Sequence, residues 1–220
     1  MGLSGQQEAN NTRNSIFSND VLRIEISGKD EEHLSVIDVP GIFKNTTAGL
    51  TTKADIALVR NMVQGYMENP RSVMLTVIPA NVDVATQEIL EMANDVDPEG
   101  HRTLGVLTKP DLVDQGAEPR VLDMLAGHVQ ELRLGWHLVR NLGQQQLSDT
   151  SIQRQYVEKE FFRVKAPWCS IDKGKVGIEA LRVRLQDVLA THIRREFPKV
   201  CYQKISGPVE QVITTVSGKN

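Results

Sequence analysis

The chain of 220 residues is 40% hydrophobic and carries 25 basic against 28 acidic residues, a formal charge of −3. That length and apolar content suffice for one large domain with a sizeable core. Both signs of charge are dispersed, which excludes the basic footprint of a nucleic-acid binder, and Cys169 and Cys201 alone make neither a disulfide framework nor a zinc-type ligand cluster.

No apolar run approaches the ~20 residues of a membrane helix. The stretch from Met1 to Gln7 lacks the charged and apolar regions of a signal peptide, and Gln6 stands where N-myristoylation needs Ser or Thr. The expectation is a soluble protein of a reducing, cytoplasmic compartment.

Residues 1–19, rich in Ser, Asn, Gln and Gly, read as a disordered or loop arm. From Leu22 to Ser27 apolar and charged residues alternate as in a half-buried strand, and Gly28-Lys29-Asp30 supplies a turn. Leu34 to Val39 is the next strand, expected to pair antiparallel with the first. It runs into Asp38-Val39-Pro40-Gly41, an acid followed by a turn. Such a motif either caps a turn and reverses the chain, or delivers a carboxylate and an unhindered glycine amide to a metal and a phosphate. The polar segment Lys44 to Gly49 follows directly and is a candidate switch.

From Lys53 the period becomes helical, with Ile56, Val59, Met62, Val63 and Tyr66 on one face, and Pro70 closes the helix. Val73 to Ile78 is an unbroken apolar run, the signature of a strand buried on both faces of a parallel sheet. A helix through about Asp95 presents Ala85, Ile89, Met92 and Ala93. The buried strand Thr103 to Leu107 then leads into Thr108-Lys109-Pro110-Asp111, either a polar loop with a capping acid or a second functional motif.

A helix over 119–132, a strand at Trp136 to Val139, helical character at 157–162 and a strong amphipathic helix from Glu179 to about Glu196, ended by Pro198, complete the pattern. Trp168 reads as a packing anchor. Strand and helix alternate over residues 70–190, which predicts a mostly parallel α/β sheet with helices on both faces. Ligands of such sheets bind beyond the carboxyl ends of the strands, and Asp38, Asp83, Lys109, Asp111 and Asn141 are expected at that edge.

The two motifs fit the two tasks a guanine nucleotide sets. Asp38 can hold a hydrated Mg²⁺ while the Gly41 amide donates to a terminal phosphate. The Asp111 carboxylate can accept from the guanine ring N–H and exocyclic amine, a donor pair adenine lacks, and the Lys109 stem can lie over the base.

D-x-x-G followed by T-K-x-D is similar to GTPases in general. The flanking text IDVPGIFKNTT, IPANVDVATQEILEMANDVDPEGHRTLGVLTKPDLVDQG and THIRREFP resembles the dynamin superfamily of large GTPases, particularly its fungal members, from about Phe17 to Pro198. The resemblance implies a P-loop-NTPase-like sheet that binds GTP and Mg²⁺, with a partial GTPase domain over 20–198 and the start of a helical stalk over 199–220. It implies that Asp38, through water to Mg²⁺, and Gly41 sense phosphate, and that Thr108, Lys109, Asp111, Asp114 and Asn141 bind guanine. The Arg expected after Asn141 is replaced by Leu142. Asn81 and Asp83 would support a switch and a dimer face, or else only cap a loop. Self-association and peripheral contacts with a membrane or with cytoskeletal microtubules, through regions outside this chain, are further implications.

One departure stands out. The phosphate-binding loop G-x-x-x-x-G-K-[ST] does not occur: Gly28-Lys29, Gly174-Lys175 and Gly218-Lys219 have neither the earlier Gly nor the following hydroxyl residue. The expectation is therefore a chain that hydrolyses GTP negligibly and whose sheet lacks its central strand. A non-catalytic interaction module on the same fold is the alternative.

Overall fold

A computed structural model of the chain describes residues 17–29, 35–48, 50–143, 146, 153–202 and 212–218. Most of the expected N-terminal arm, the hairpin loop at 30–34, Gly49 of the switch candidate and residues 203–211 of the expected stalk lie outside them.

The apolar runs set the sheet. Strands β1 (Ser35–Ile42), β2 (Ser72–Pro79), β3 (Thr103–Thr108), β4 (Trp136–Leu138) and β5 (Val212–Gly218) form five parallel strands in the order β1-β5-β2-β3-β4. Alternate residues of the central strands enter different cores. Met74, Ile78 and Leu107 join one side with Val59 and Val63 of α1 (Lys53–Met67), Ile89 and Met92 of α2 (Glu88–Val96) and Met124 of α3 (Glu118–Ala126). Val73, Leu75, Leu104 and Val106 join the other with Leu181 and Leu189 of α5 (Ile178–Tyr202). Helices thus cover both faces, as the buried runs predict.

Local chemistry starts and stops these elements. Thr52 caps α1: its hydroxyl oxygen accepts from the Asp55 amide at 3.3 Å while the Asp55 carboxylate accepts from the Thr52 amide at 2.8 Å, a reciprocal capping box. The helix α3 ends at Ala126, short of the predicted 132, because Gly127 adopts φ 84° and turns the chain out of the helix. Trp168 is buried, as expected of an anchor. In β3, Gly105 lies under the Trp136 ring, and a Cβ there would stand 2.2 Å from its nearest ring atom.

At the amino ends of the strands one cation closes several chain ends. Arg102, 6% exposed, donates to the carbonyls of Met67 (2.7 Å), Val96 (3.2 Å) and Ser72 (3.2 Å). These are the last carbonyls of α1 and α2 and the first of β2. The Asp97 carboxylate accepts from the amides of His101 and Arg102 and from the Thr103 hydroxyl at 2.6 Å. The D-P-x-G-x-R-T segment is therefore a structural clasp, and burial lowers the Arg102 pKa.

Three further expectations differ. Residues 21–27 form no strand; Leu22, Ile24 and Ile26 are exposed and no pairing with β1 is present among the described residues. A hairpin this short gains little until its connection and its apolar face are in place. Pro198 does not end the last helix, which continues to Tyr202; one missing N–H costs a hydrogen bond without stopping a long helix. The position between β1 and β2 is filled by β5, drawn from the region expected to begin a helical stalk.

Replacing Arg102 by Ala removes the side-chain donor to the Met67, Ser72 and Val96 carbonyls, while Asp97 keeps its backbone amides and the Thr103 hydroxyl. A loss of about 3–5 kcal/mol, one to two for each buried carbonyl left without its donor, is expected in urea unfolding of the whole chain. His137 and His192 are buried, and burial pushes both imidazole pKa values down from 6.5. Below the unfolded value near 6.5 the unfolded chain binds protons the folded chain refuses. Stability is therefore fully present above that value and lost as the pH falls from it toward the lower folded values. Unfolding midpoints measured from pH 7.5 to 5.5 should fall, and His137→Gln should flatten the part of the slope it owns.

Candidate functional site

All five strands run in one direction, so the loops after β2, β3 and β4 share the carboxyl edge of the sheet. Thr108 ends β3 with its hydroxyl buried and directed at the Ile78 carbonyl, 3.3 Å away, which ties β3 to β2. Lys109 then takes φ 56°, the left-handed region that is costly for a residue with a side chain. This turn and the buried Pro110 lift Asp111 onto a short 3₁₀ turn (Pro110–Leu112) standing over the edge. Strain at a side-chain-bearing residue persists only where its surroundings over-determine it, and here it aims Asp111.

Arg140 emerges directly beyond β4, and its Nε lies 3.6 Å from Asp111 Oδ2. The Arg140 amide donates to Glu158 Oε1 at 2.9 Å, while Oε2 of the same carboxylate accepts from the Ile178 amide at 2.8 Å. Glu158 belongs to α4 (Arg154–Val164) and is 5% exposed. One buried carboxylate thus joins the end of β4 to the start of α5. The guanidinium lies 5.4 Å above the centroid of Phe161.

Asn141 and Leu142 follow Arg140, with Asn141 exposed. Asp114 is also exposed, and its backbone carbonyl accepts from the Ala117 amide at 2.9 Å. Lys109, Asp111 and Asn141 therefore share the edge expected of them, with Thr108 at the end of β3 beneath them, and the structure pairs Asp111 with Arg140, which the sequence reading did not single out. A charge set immediately after a buried strand was the signal available.

Asp38 departs from expectation. It pairs in register with Thr215, which is level with Leu75 and through it Leu104, so it sits within β1 and not at its end. The strand persists because Pro40 lies on an edge strand, where a missing N–H is tolerated, and the register shift between Val39 and Ile42 absorbs Pro40 and Gly41. Asp38 is exposed, and Gly41 lies close to the strand's end. Beyond Ile42, Phe43 stacks on Phe17 with centroids 5.5 Å apart, and this segment borders a cleft of about 450 Å³ that also touches Thr86, Gln87 and Glu88. None of Lys109, Asp111 or Arg140 lines it.

Asp83 caps the 3₁₀ turn Val84–Thr86 through the Ala85 amide at 3.1 Å and pairs with Arg120 at 3.7 Å. Its loop-capping reading is the one this geometry displays; Asn81 beside it is exposed. No group of three or more potential metal-ligating side chains occurs among the described residues. A lone exposed carboxylate such as Asp38 fits Mg²⁺ only in the manner usual for that ion, through water and with substrate phosphate completing the shell.

Residues 2–110 match the model of the dynamin family and residues 120–216 that of the dynamin central region. The chain belongs to the dynamin family. It is 34% identical over 213 residues to interferon-induced GTP-binding protein Mx1 of Equus caballus, covering 91% of this chain and 32% of that protein. Mx1 of Mus musculus is 36% identical over 186 residues, with coverages of 83% and 29%. Mx of Ctenopharyngodon idella is 37% identical over 187 residues, with coverages of 84% and 30%. This dynamin-family chain thus spans about a third of the length of these relatives. The matched central region includes most of β5, so the sheet is completed by residues beyond the match to the first model.

Replacing Glu158 by Ala removes the acceptor of two buried amides. A loss of about 2–3 kcal/mol in urea unfolding is expected, together with faster amide exchange at Arg140 and Ile178, read by hydrogen-exchange mass spectrometry.

Proposed function

We propose that this chain is the base-reading portion of a dynamin-type GTP-binding protein. The observation that carries this reading is Asp111: a carboxylate raised over the carboxyl edge by a strained Lys109, within a dynamin-family chain whose relatives are named as GTP-binding proteins. Members of the family are GTPases. Asp111 accepts from the guanine ring N–H and exocyclic amine; Lys109 covers the base or ribose; Asp114 and Asn141 flank it. Asp38, through water to Mg²⁺, and the Gly41 amide sense the terminal phosphate. Bound Mg²⁺ would neutralise phosphate charge.

The chain by itself turns GTP over negligibly, because none of its Gly-Lys pairs makes the loop whose amides and lysine position and neutralise phosphates. The whole protein self-associates and remodels membranes, acting in the cytoplasm or peripherally on organelle membranes.

A second reading is favoured by β5: a sheet whose centre is filled from the central region is continuous without a phosphate loop, and could serve as a non-catalytic dimerisation module. Calorimetric titration of the whole chain with guanine and adenine nucleotides in Mg²⁺ separates the two. Preference for guanine on the order of ten- to a hundredfold is expected, with Asp111→Asn shifting preference toward xanthine, whose 2-carbonyl accepts where guanine donates. Guanine binding weaker than millimolar would leave the second reading, and dynamin-like GTP turnover would overturn the predicted inactivity.

A further inference from the structure

Arg140 is held more firmly than a turn residue needs to be. Its guanidinium is 12% exposed, lies over Phe161, and is pinned at Nη2 by Gln146 Oε1 at 3.4 Å. Its amide is anchored by the buried Glu158. Yet Nε and Nη1 are buried with no hydrogen-bond partner, and the 3.6 Å separation from Asp111 is an ion pair too long to satisfy either of them. Buried unsatisfied donors on a cation are costly, and a rigid fork that leaves two of them unpaired beside a carboxylate is built for an acceptor that arrives later.

The chemistry of that acceptor follows from its neighbour. Asp111 offers two acceptors and Arg140, beside it, offers donors. The matching edge carries two donors and then an acceptor, which is the order of the exocyclic amine, ring N–H and O6 of guanine. Adenine presents an amine at the O6 position and would set a donor against the cation.

We propose that Arg140 is a specificity-determining residue that donates to guanine O6 while Asp111 accepts from the neighbouring N–H groups. This rests on the guanine-binding reading above. Arg140 contributes a contact of its own to the base; a residue that only positioned Asp111 would affect every guanine analogue alike.

The test uses the whole chain in Mg²⁺ buffer and three diphosphates. GDP is the reference; 6-thio-GDP replaces O6 by a weak acceptor and keeps both donors; inosine diphosphate keeps O6 and lacks the amine. The native chain is expected to bind 6-thio-GDP about tenfold more weakly than GDP. In Arg140→Met that ratio collapses to about one while the inosine penalty, which reports Asp111, persists. Arg140→Lys restores part of the ratio. Thermal melts establish that the variants fold, and the native comparison needs no variant.

Equal native affinity for GDP and 6-thio-GDP, or a ratio unchanged in Arg140→Met, overturns the role of Arg140. If the inosine penalty remains in that case, the guanine reading stands. A native chain that binds none of the three overturns the guanine reading and this inference with it.

Discussion

One guanidinium decides how the central layers of this protein are stacked. Arg102 gathers the terminal carbonyls of α1 and α2 and the first carbonyl of β2, three acceptors at chain ends drawn to one donor group. The adjoining Asp97 carboxylate absorbs the amides and hydroxyl at the start of β3. A cation suits this position twice over, because helix C-termini carry partial negative charge and because a planar fork can reach several carbonyls at once. The amino ends of β2 and β3 are thereby locked against each other, and their register is set before either strand reaches the functional edge.

That register carries through to the opposite edge. With Met74 paired to Thr103, the strands leave the sheet level at Pro79 and Thr108, and the left-handed turn at Lys109 can lift Asp111 over their ends. On the other flank β4 ends beside β3, so Arg140 arrives next to Asp111 without any contact between the two being local in sequence. Glu158 does for β4 and α5 what Arg102 does for β2 and the first helices: one buried side chain satisfies more than one chain end. The clasp and the base-reading pair are the two ends of the same registered strands.

Much of this was legible in the residues because burial leaves a pattern. Val73 to Ile78 and Thr103 to Leu107 are apolar on both faces, and only a covered parallel sheet makes that tolerable. Thr52 and Asp55 were a capping signal that the reading from Lys53 did not use, and Gly127 was a stop signal that the helical reading through 132 passed over. Residues 21–27 alternate as a strand should, but alternation cannot say whether a partner is present. The β5 segment is instructive in the other direction: Val212-Ile213-Thr214-Thr215-Val216 is a β-branched run with strand preference, and resemblance to a helical stalk outweighed it. Asp38 was expected at a strand end because Pro-Gly usually terminates strands; a register shift on an edge strand let the chain continue. The Asp111–Arg140 pair was not legible, since no period or motif encodes a contact made by two loops.

The position of β5 also bears on how the chain is made. It lies between β1 and β2, yet its residues are synthesised long after both, with α1 to α5 intervening. On the ribosome β1 emerges early and must wait, its inner edge unpaired, until residues 212–218 have left the exit tunnel. Contacts so distant in sequence close slowly, and waiting strand edges recruit neighbouring chains. The facing edges of β1 and β2 are therefore the part of this chain most open to association with other chains until β5 is made.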